Sequence, residues 1–183
     1  MGLSRRDWVF GSIGGAAWAD VLAAAQHAHE SAEARPTARL AVLDRATAAD
    51  VEALAEQILP SGDGPGAREV GVIWFIDRAL QTFDSDRRAD YRDGMAEVRR
   101  VRVKLFPGSA SVAALSDEQQ KQLVRAIETT AFFGLLRQHT VLGFLGHPKY
   151  GGNRGQAGWK HIGFESRMAF EHPFGYYDAR GRE

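Results

Sequence analysis

The stretch SDEQQKQLVRAIETTAFFGLLRQH, residues 116–139, decides the fold class of this chain. It opens on Ser116-Asp117-Glu118-Gln119, a capping signal for the start of an α-helix. The apolar side chains that follow recur at helical spacing on one side of the segment: Leu123, Val124, Ile127, Ala131, Leu135 and Leu136. Phe132 and Phe133 widen this apolar face. We therefore predict one helix from Asp117 to about His139, the longest of the chain.

Three further helices are expected upstream of this stretch, at about 47–59, 67–82 and 88–105. Thr47 begins the first of them, with Asp50 three residues later as a capping-box-like acid, and Pro60 ends it. The six residues SGDGPG at 61–66 are a dense turn signal before the second helix. No segment alternates apolar and polar residues as a half-buried strand does. The sequence predicts a mostly α, single helical domain of about four main helices.

The last third of the chain has a different composition, rich in glycine and aromatic residues from Gly143 onward. So many glycines are incompatible with a regular helix, because glycine has the largest conformational freedom to lose. We expect residues 143–164 to form a loop that is packed by its own aromatic side chains or ordered by a partner. An extended C-terminal tail follows, and it carries four more aromatic residues: Phe170, Phe174, Tyr176 and Tyr177.

Composition limits the classes of function. The 183 residues include 23 basic and 23 acidic side chains, so the formal net charge is zero and no basic excess points to nucleic acid. There is no cysteine, which excludes a disulfide, an iron–sulfur cluster and haem attachment through this chain. The length is that of one domain.

The N-terminus reads Ser4-Arg5-Arg6-Asp7-Trp8-Val9-Phe10, followed by a mildly apolar run that ends at Ala25. This pattern is typical of a twin-arginine export leader, which carries folded proteins across the membrane. The run is too short and too weakly apolar for a membrane span, and Asp20 interrupts it. An amphipathic helix with two exposed arginines is the alternative. The candidate export-signal residues are Arg5, Arg6, Trp8 and Phe10.

We divide the chain accordingly into a signal segment at 1–25, a polar tether at 26–38, and a helical domain with a partner-docking C-terminal segment at 39–183.

No motif for catalysis, cofactor binding or metal binding is found along the chain. The histidines lack the spacing of a zinc site. The glycine-rich segment Tyr150–Gly155 lacks the Lys-Ser/Thr end of a phosphate-binding loop. Asp84-Ser85-Asp86 has the first half of a calcium loop without the rest, so a capped helix start is the better interpretation. We therefore assign no catalytic, cofactor-binding or metal-ligating residue.

Several motifs together resemble one family. They are GDGPGAREVGV at 62–72, Phe75-Ile76-Asp77, Phe132-Phe133, HPKYGGN at 147–153 and Gly158-Trp159-Lys160. The resemblance is to the gluconate 2-dehydrogenase subunit 3 family, the small or gamma subunit of periplasmic sugar dehydrogenases. It covers about residues 41–164, and the Tyr-Gly-Gly-Asn and Gly-Trp motifs are its most specific part.

This resemblance implies a noncatalytic subunit without a cofactor of its own. Family members pair with a large FAD-containing subunit of the glucose–methanol–choline (GMC) oxidoreductase type, and a haem-containing cytochrome c subunit often receives the electrons. The small subunit supplies the signal read by the twin-arginine translocase and stabilises the flavoprotein. The resemblance thus implies a location in the periplasm, with membrane association through the complex.

Seven residues are candidates for binding the large subunit: Tyr150, Asn153, Trp159, Phe170, Phe174, Tyr176 and Tyr177. Aromatic side chains are frequent interface anchors. Alternatively, Tyr150 and Trp159 only hold the loop against the helices of this chain. Two rival functions also stay open: a free-standing periplasmic enzyme or ligand-binding protein that uses the His/aromatic C-terminal segment, and an export chaperone that leaves after delivery.

Overall fold

The computed structural model describes residues 39–167, and this part of the chain folds into six α-helices without a strand. The helices are α1 (Arg45–Ile58), α2 (Val72–Gln81), α3 (Arg88–Leu105), α4 (Asp117–Ile127), α5 (Ala131–Leu145) and α6 (Ala157–His161). Short 3₁₀ turns lie at Ser85–Arg87, Pro148–Tyr150 and Arg154–Gln156. The predicted mostly α class is confirmed. The predicted leader, tether and aromatic tail lie outside the described residues.

The start of α1 differs from the expectation. Asp44, not Thr47, is the N-cap, and its carboxylate accepts the backbone N–H groups of Ala46 and Thr47 at 2.9 Å. Asp50 is not a capping acid: it is buried, and its carboxylate accepts the N–H of Ala113 at 3.1 Å. The capping pattern was therefore assigned three residues too late, because Asp50 has a tertiary partner that local spacing does not show.

Helix α2 begins at Val72, five residues later than predicted, because Gly71 adopts a left-handed conformation with φ 74° just before it. Its buried Asp77 holds the segment that enters the domain. The carboxylate accepts the backbone N–H groups of Ala41, Val42 and Leu43 at 2.7–2.9 Å. The entry segment, residues 41–43, is thus fixed by one side chain of α2.

The prediction of one long helix from Asp117 to about His139 is wrong. The segment is divided into two helices, α4 and α5. The capping signal at its start is confirmed, since Ser116 and Gln119 form a complete capping box. Thr130 then caps a second helix, with its hydroxyl accepting the N–H of Phe133 at 3.2 Å and donating to the carbonyl of Ile127 at 2.7 Å. A hydroxyl that offers the backbone other partners competes with helix continuation.

Helix α5 extends to Leu145, six residues past the predicted end, so the expected loop begins later. Gly143 lies within this extension of α5, close to the ring of Phe75. Glycine fits there because little room is left for a side chain. The helix packs on α1, α2 and α3 and is therefore central to the fold. Five helices contribute large apolar side chains that are fully buried, among them Val51, Leu54, Ile76, Leu80, Met95, Leu123, Ile127 and Leu136.

Candidate partner-docking site

The segment after α5 folds back over the helices, and Asn153 fixes its path. Asn153 is fully buried, with a left-handed φ of 46°. Its side-chain amide donates to the carbonyl of Gly146 at 2.9 Å and accepts the N–H of Gly158 at 2.9 Å. One side chain therefore joins the end of α5 to the start of α6.

Two glycines of the same segment allow its close approach to α5. A Cβ atom at Gly152 would collide with the carbonyl oxygen of Gly143, and one at Gly158 would collide with that of Phe144. The backbone of this segment thus lies directly on the backbone of α5. The Tyr-Gly-Gly-Asn and Gly-Trp motifs consequently have a packing role inside the chain.

Trp159 completes this anchorage. Its ring is 8% exposed, and its indole N–H donates to the carbonyl of Leu145 at 2.5 Å. His147 and Phe164 pack edge-on against the same ring, at centroid distances of 5.6 and 5.1 Å. The indole therefore satisfies one of the carbonyl groups left free at the end of α5.

Tyr150 has a different setting, because 40% of it is exposed. Its ring meets Phe83 edge-on at 6.1 Å, and the ammonium of Lys149 lies 4.9 Å from the ring centroid. Of the three predicted loop residues, only Tyr150 presents a large part of its side chain to the surface. The four predicted tail residues, Phe170, Phe174, Tyr176 and Tyr177, lie outside the described residues. Binding of a partner by these seven residues stays a prediction.

The structure reveals an apolar surface that the sequence analysis missed. We call it the apolar face: Val141, Leu142, Leu145, Ile162 and Phe164. These side chains are between 37% and 56% exposed. The sequence does carry a sign of this surface: Arg137 and His139 are the only ionisable side chains in α5, so the helix is apolar on nearly all sides. A helix that is apolar on all sides is normally covered on all sides, but the expectation of a glycine-rich loop concealed this pattern.

A cleft of about 270 Å³ opens beside the apolar face. Val141, Leu145 and Ile162 form one wall, and Leu59 and Pro60 at the end of α1 form the other. His161 is the one ionisable side chain in the lining. The cleft is suited to apolar groups, which is the usual character of a binding concavity.

The segment that carries α5 and α6 has basic side chains and no acidic ones. Residues 129–164 contain neither Asp nor Glu, and their basic residues are Arg137, Lys149, Arg154 and Lys160. Arg154 stacks over Trp74 at 5.3 Å, and burial lowers the pKa of its guanidinium, while Glu52 nearby acts in the opposite direction. The stretch of chain that carries the apolar face is therefore basic, and Glu165, at its end, is paired with Arg167.

A buried polar network lies on the opposite side of α5. His139 contacts the hydroxyl of Tyr91 at 3.0 Å and the carboxylate of Asp84 at 3.2 Å. Burial raises the pKa of Tyr91, and it lowers the pKa of His139 despite the Asp84 carboxylate. Asp84 was expected to cap a helix; it makes no capping bond, and the neighbouring turn is 3₁₀. The network joins α3, α5 and the α2–α3 connection.

The side chains of this network are buried as those of a structural network are. Tyr91 and His139 are each 2% exposed, so a substrate has little access to them. Within residues 39–167, no group of three or more His, Asp or Glu side chains is arranged to hold a metal ion. In the same range, no helix has the length and apolar character needed to span a membrane.

Comparison with known proteins gives the family. The family model described as gluconate 2-dehydrogenase subunit 3 matches residues 45–165, about two thirds of the chain. The chain belongs to the gluconate 2-dehydrogenase subunit 3 family. The resemblance found in the motifs is thereby confirmed. No significant match was found among curated proteins or among solved structures.

Membership in the subunit 3 family concerns the whole helical domain. The matched range begins at the first residue of α1 and ends four residues after α6, so it includes all six helices and the complete apolar face. By its description, the family is that of one subunit of a dehydrogenase. A subunit has surfaces that another chain covers, and the exposed side chains of α5 are one such candidate.

Proposed function

We propose that this chain is the noncatalytic small subunit of a periplasmic, flavin-dependent sugar or sugar-derivative dehydrogenase. The observation that carries the proposal is the match to the subunit 3 family across all six helices. In this assignment the small subunit accompanies the catalytic subunit and stabilises it. The exposed apolar side chains of α5 support this assignment, because contiguous apolar patches on a soluble protein commonly mark contact sites.

The chemistry of the complex is assigned to its other subunits. We propose a large GMC-type subunit that holds FAD and oxidises the sugar, together with a cytochrome c subunit that passes electrons to the membrane. The chain described here then has no step of its own in the reaction. Its buried ionisable groups, Asp77 and the His139 network, serve packing, which is compatible with a supporting role.

Export is the second part of the proposed role. Arg5, Arg6, Trp8 and Phe10 supply the address that the twin-arginine translocase reads, and the flavoprotein crosses the membrane bound to this subunit. The complex then resides in the periplasm and associates with the membrane through the cytochrome subunit. A route for folded cargo suits a flavoprotein that binds its cofactor before export.

The test is the double substitution Arg5→Lys and Arg6→Lys in cells that make the whole complex. We expect dehydrogenase activity to move from the periplasmic fraction to the cytoplasm. The matched control is Arg35→Lys with Arg39→Lys, which also replaces two N-terminal arginines but leaves the motif intact. Undiminished periplasmic activity in the Arg5/Arg6 variant would contradict the export role.

The subunit role is tested separately by purifying the complex from the periplasm through a tag on this chain. We expect a yellow flavoprotein to co-purify in a fixed ratio. A flavoprotein that is active in the periplasm without this chain would instead indicate a transient export chaperone. A tagged chain that purifies alone and oxidises a sugar would indicate a free-standing enzyme.

A further inference from the structure

We infer that the apolar face, Val141, Leu142, Leu145, Ile162 and Phe164, is the surface on which the catalytic subunit docks, through an apolar ridge bordered by carboxylates. The inference rests on the proposed function, since it names the surface and the chemistry of the proposed contact. The apolar face is not the contact predicted from the sequence, which uses Tyr150, Asn153 and Trp159. Of these three residues, Asn153 and Trp159 are buried, and Tyr150 is not part of the face.

The apolar face is one continuous surface. Val141 and Leu145 lie one helical turn apart on α5, and both line the cleft that Ile162 closes. Phe164 joins through Trp159, which its ring meets at 5.1 Å, and the Trp159 indole is bonded to the carbonyl of Leu145. Trp159 thus ties Phe164 to the end of α5, and Leu142 lies about one turn before Leu145 on the same helix.

The face is also held rigidly. The hydrogen bonds of Asn153 fix α6 relative to the end of α5, and Gly152 and Gly158 bring the connecting backbone into direct contact with that helix. A surface built in this way loses little conformational entropy when a partner binds, which favours affinity.

Charge determines the kind of partner. Arg137 lies one turn before Val141 on α5, and Lys160 lies two residues before Ile162 on α6. Glu165, which follows Phe164, is paired with Arg167. An apolar partner surface bordered by Asp and Glu would neutralise these cations, whereas a basic partner would be repelled. A second copy of this chain would bring the same basic surface against itself. Complementarity therefore favours a different protein chain over self-association.

The experiment measures binding of the flavoprotein after a negative or a positive charge is placed at one position of the apolar face. Leu142 is 44% exposed, so both Leu142→Glu and Leu142→Lys leave the core intact. We expect Leu142→Glu to weaken binding of the co-purified flavoprotein at least about tenfold, which is about 1.4 kcal/mol, and Leu142→Lys to weaken it less. Ile162→Glu and Ile162→Lys repeat the comparison at the residue of the apolar face that follows α6.

Val103→Glu is the matched control. Val103 is 51% exposed near the C-terminal end of α3, outside the apolar face, and we expect this variant to bind as the wild type does. Circular dichroism of each free variant verifies that the fold is retained. Unchanged binding of both Glu variants would overturn the assignment of the face. Equal losses for Glu and Lys would overturn the acidic character of the partner.

The outcomes separate this inference from the proposed function. If the wild-type chain binds no flavoprotein, the proposed function fails. If the wild type binds and the Glu variants bind equally well, only the docking face fails. Two further results would also overturn the assignment of the face to the catalytic subunit. If the isolated chain is a dimer that Leu142→Glu converts to a monomer, a second copy of the chain covers the face. If truncation after Arg167 removes hydrogen-exchange protection in α5, the tail of the chain itself covers it.

Discussion

Asp77 is a single side chain that holds a remote segment of backbone. It is buried, and its carboxylate receives three consecutive backbone N–H groups of the entry segment. Bonds from amide donors to a charged acceptor are stronger than neutral ones, and a buried donor that loses its partner costs free energy. Asp77 therefore determines where the N-terminal segment joins the domain.

We predict that Asp77→Ala lowers the free energy of unfolding by about 2–3 kcal/mol, because it leaves buried N–H groups without an acceptor. Urea unfolding at pH 7 measures this change. Asp63→Ala is the matched control: Asp63 is an exposed carboxylate in the turn between α1 and α2, where substitutions usually change stability by less than about 0.5 kcal/mol. Equal stability of the two variants would contradict the role of Asp77.

His139 makes the stability of the domain depend on pH. Burial lowers its pKa below the ordinary value, with Arg87 adding to the effect and Asp84 opposing it, while Tyr91 and Phe75 pack against the ring. The unfolded chain therefore binds a proton more readily than the folded chain. The contribution is fully present above the unfolded pKa of about 6.5 and is lost as the pH falls towards the folded pKa.

We accordingly predict that wild-type stability falls between pH 7 and pH 5 more steeply than that of His139→Gln, whose side chain does not titrate. Urea unfolding at several pH values gives both curves. His161→Gln replaces an exposed histidine and serves as the control, with the wild-type pH dependence expected. Parallel curves for the wild type and His139→Gln would show that His139 is not responsible.

At the level of elements, contact between backbones decides how the C-terminal segment packs. Gly152 lies against the carbonyl of Gly143 in α5, where the backbone cannot move aside as a flexible side chain can. Gly134, in the same helix, has open space around its Cα. The two glycines therefore differ in whether the structure has room for a side chain.

We predict that Gly152→Ala destabilises the domain by about 1–3 kcal/mol through overpacking. Gly134→Ala should instead stabilise it by about 0.5–1 kcal/mol, because alanine is the better helix former. Thermal and urea unfolding of the two variants measure the difference. A tolerated Gly152→Ala would mean that the segment does not lie on α5 as described.

The division between α4 and α5 is likewise a property of elements. Apolar spacing is helical throughout residues 117–139, and Thr130 interrupts the helix through its hydroxyl bonds at both sides of the break. Before the break, α4 packs on α1 and α3, and after it α5 packs on these two helices and on α2. The break therefore brings the second half of the segment against α2.

At the scale of the whole molecule, the described helices contain an apolar core of their own. The buried apolar side chains of the described residues, 39–167, lie between Leu43 and Trp159, and all but Trp159 form one cluster. The helical domain should therefore fold without residues 168–183. The tail is instead proposed to contribute to binding of the large subunit.

We predict that truncation after Arg167 leaves the helical content and melting temperature of the domain essentially unchanged. Loss of two aromatic anchors, each worth about 2 kcal/mol, should weaken the complex by several hundredfold. Co-purification with the flavoprotein measures the effect. Truncation after Asp178 is the matched control, because it keeps Phe170, Phe174, Tyr176 and Tyr177. Co-purification at full yield after truncation at Arg167 would exclude the tail as an anchor.

The sequence by itself determined the helical class, the capping box at Ser116, the extent of α3 and the family. These depend on apolar spacing and short motifs that lie close together along the chain. Only the tertiary structure decided that Asp50 and Asp77 hold distant backbone groups, that Asn153 and Trp159 are buried, and that Leu142 is exposed. The physical reason is that burial depends on which surfaces meet, and residues remote in sequence supply those surfaces.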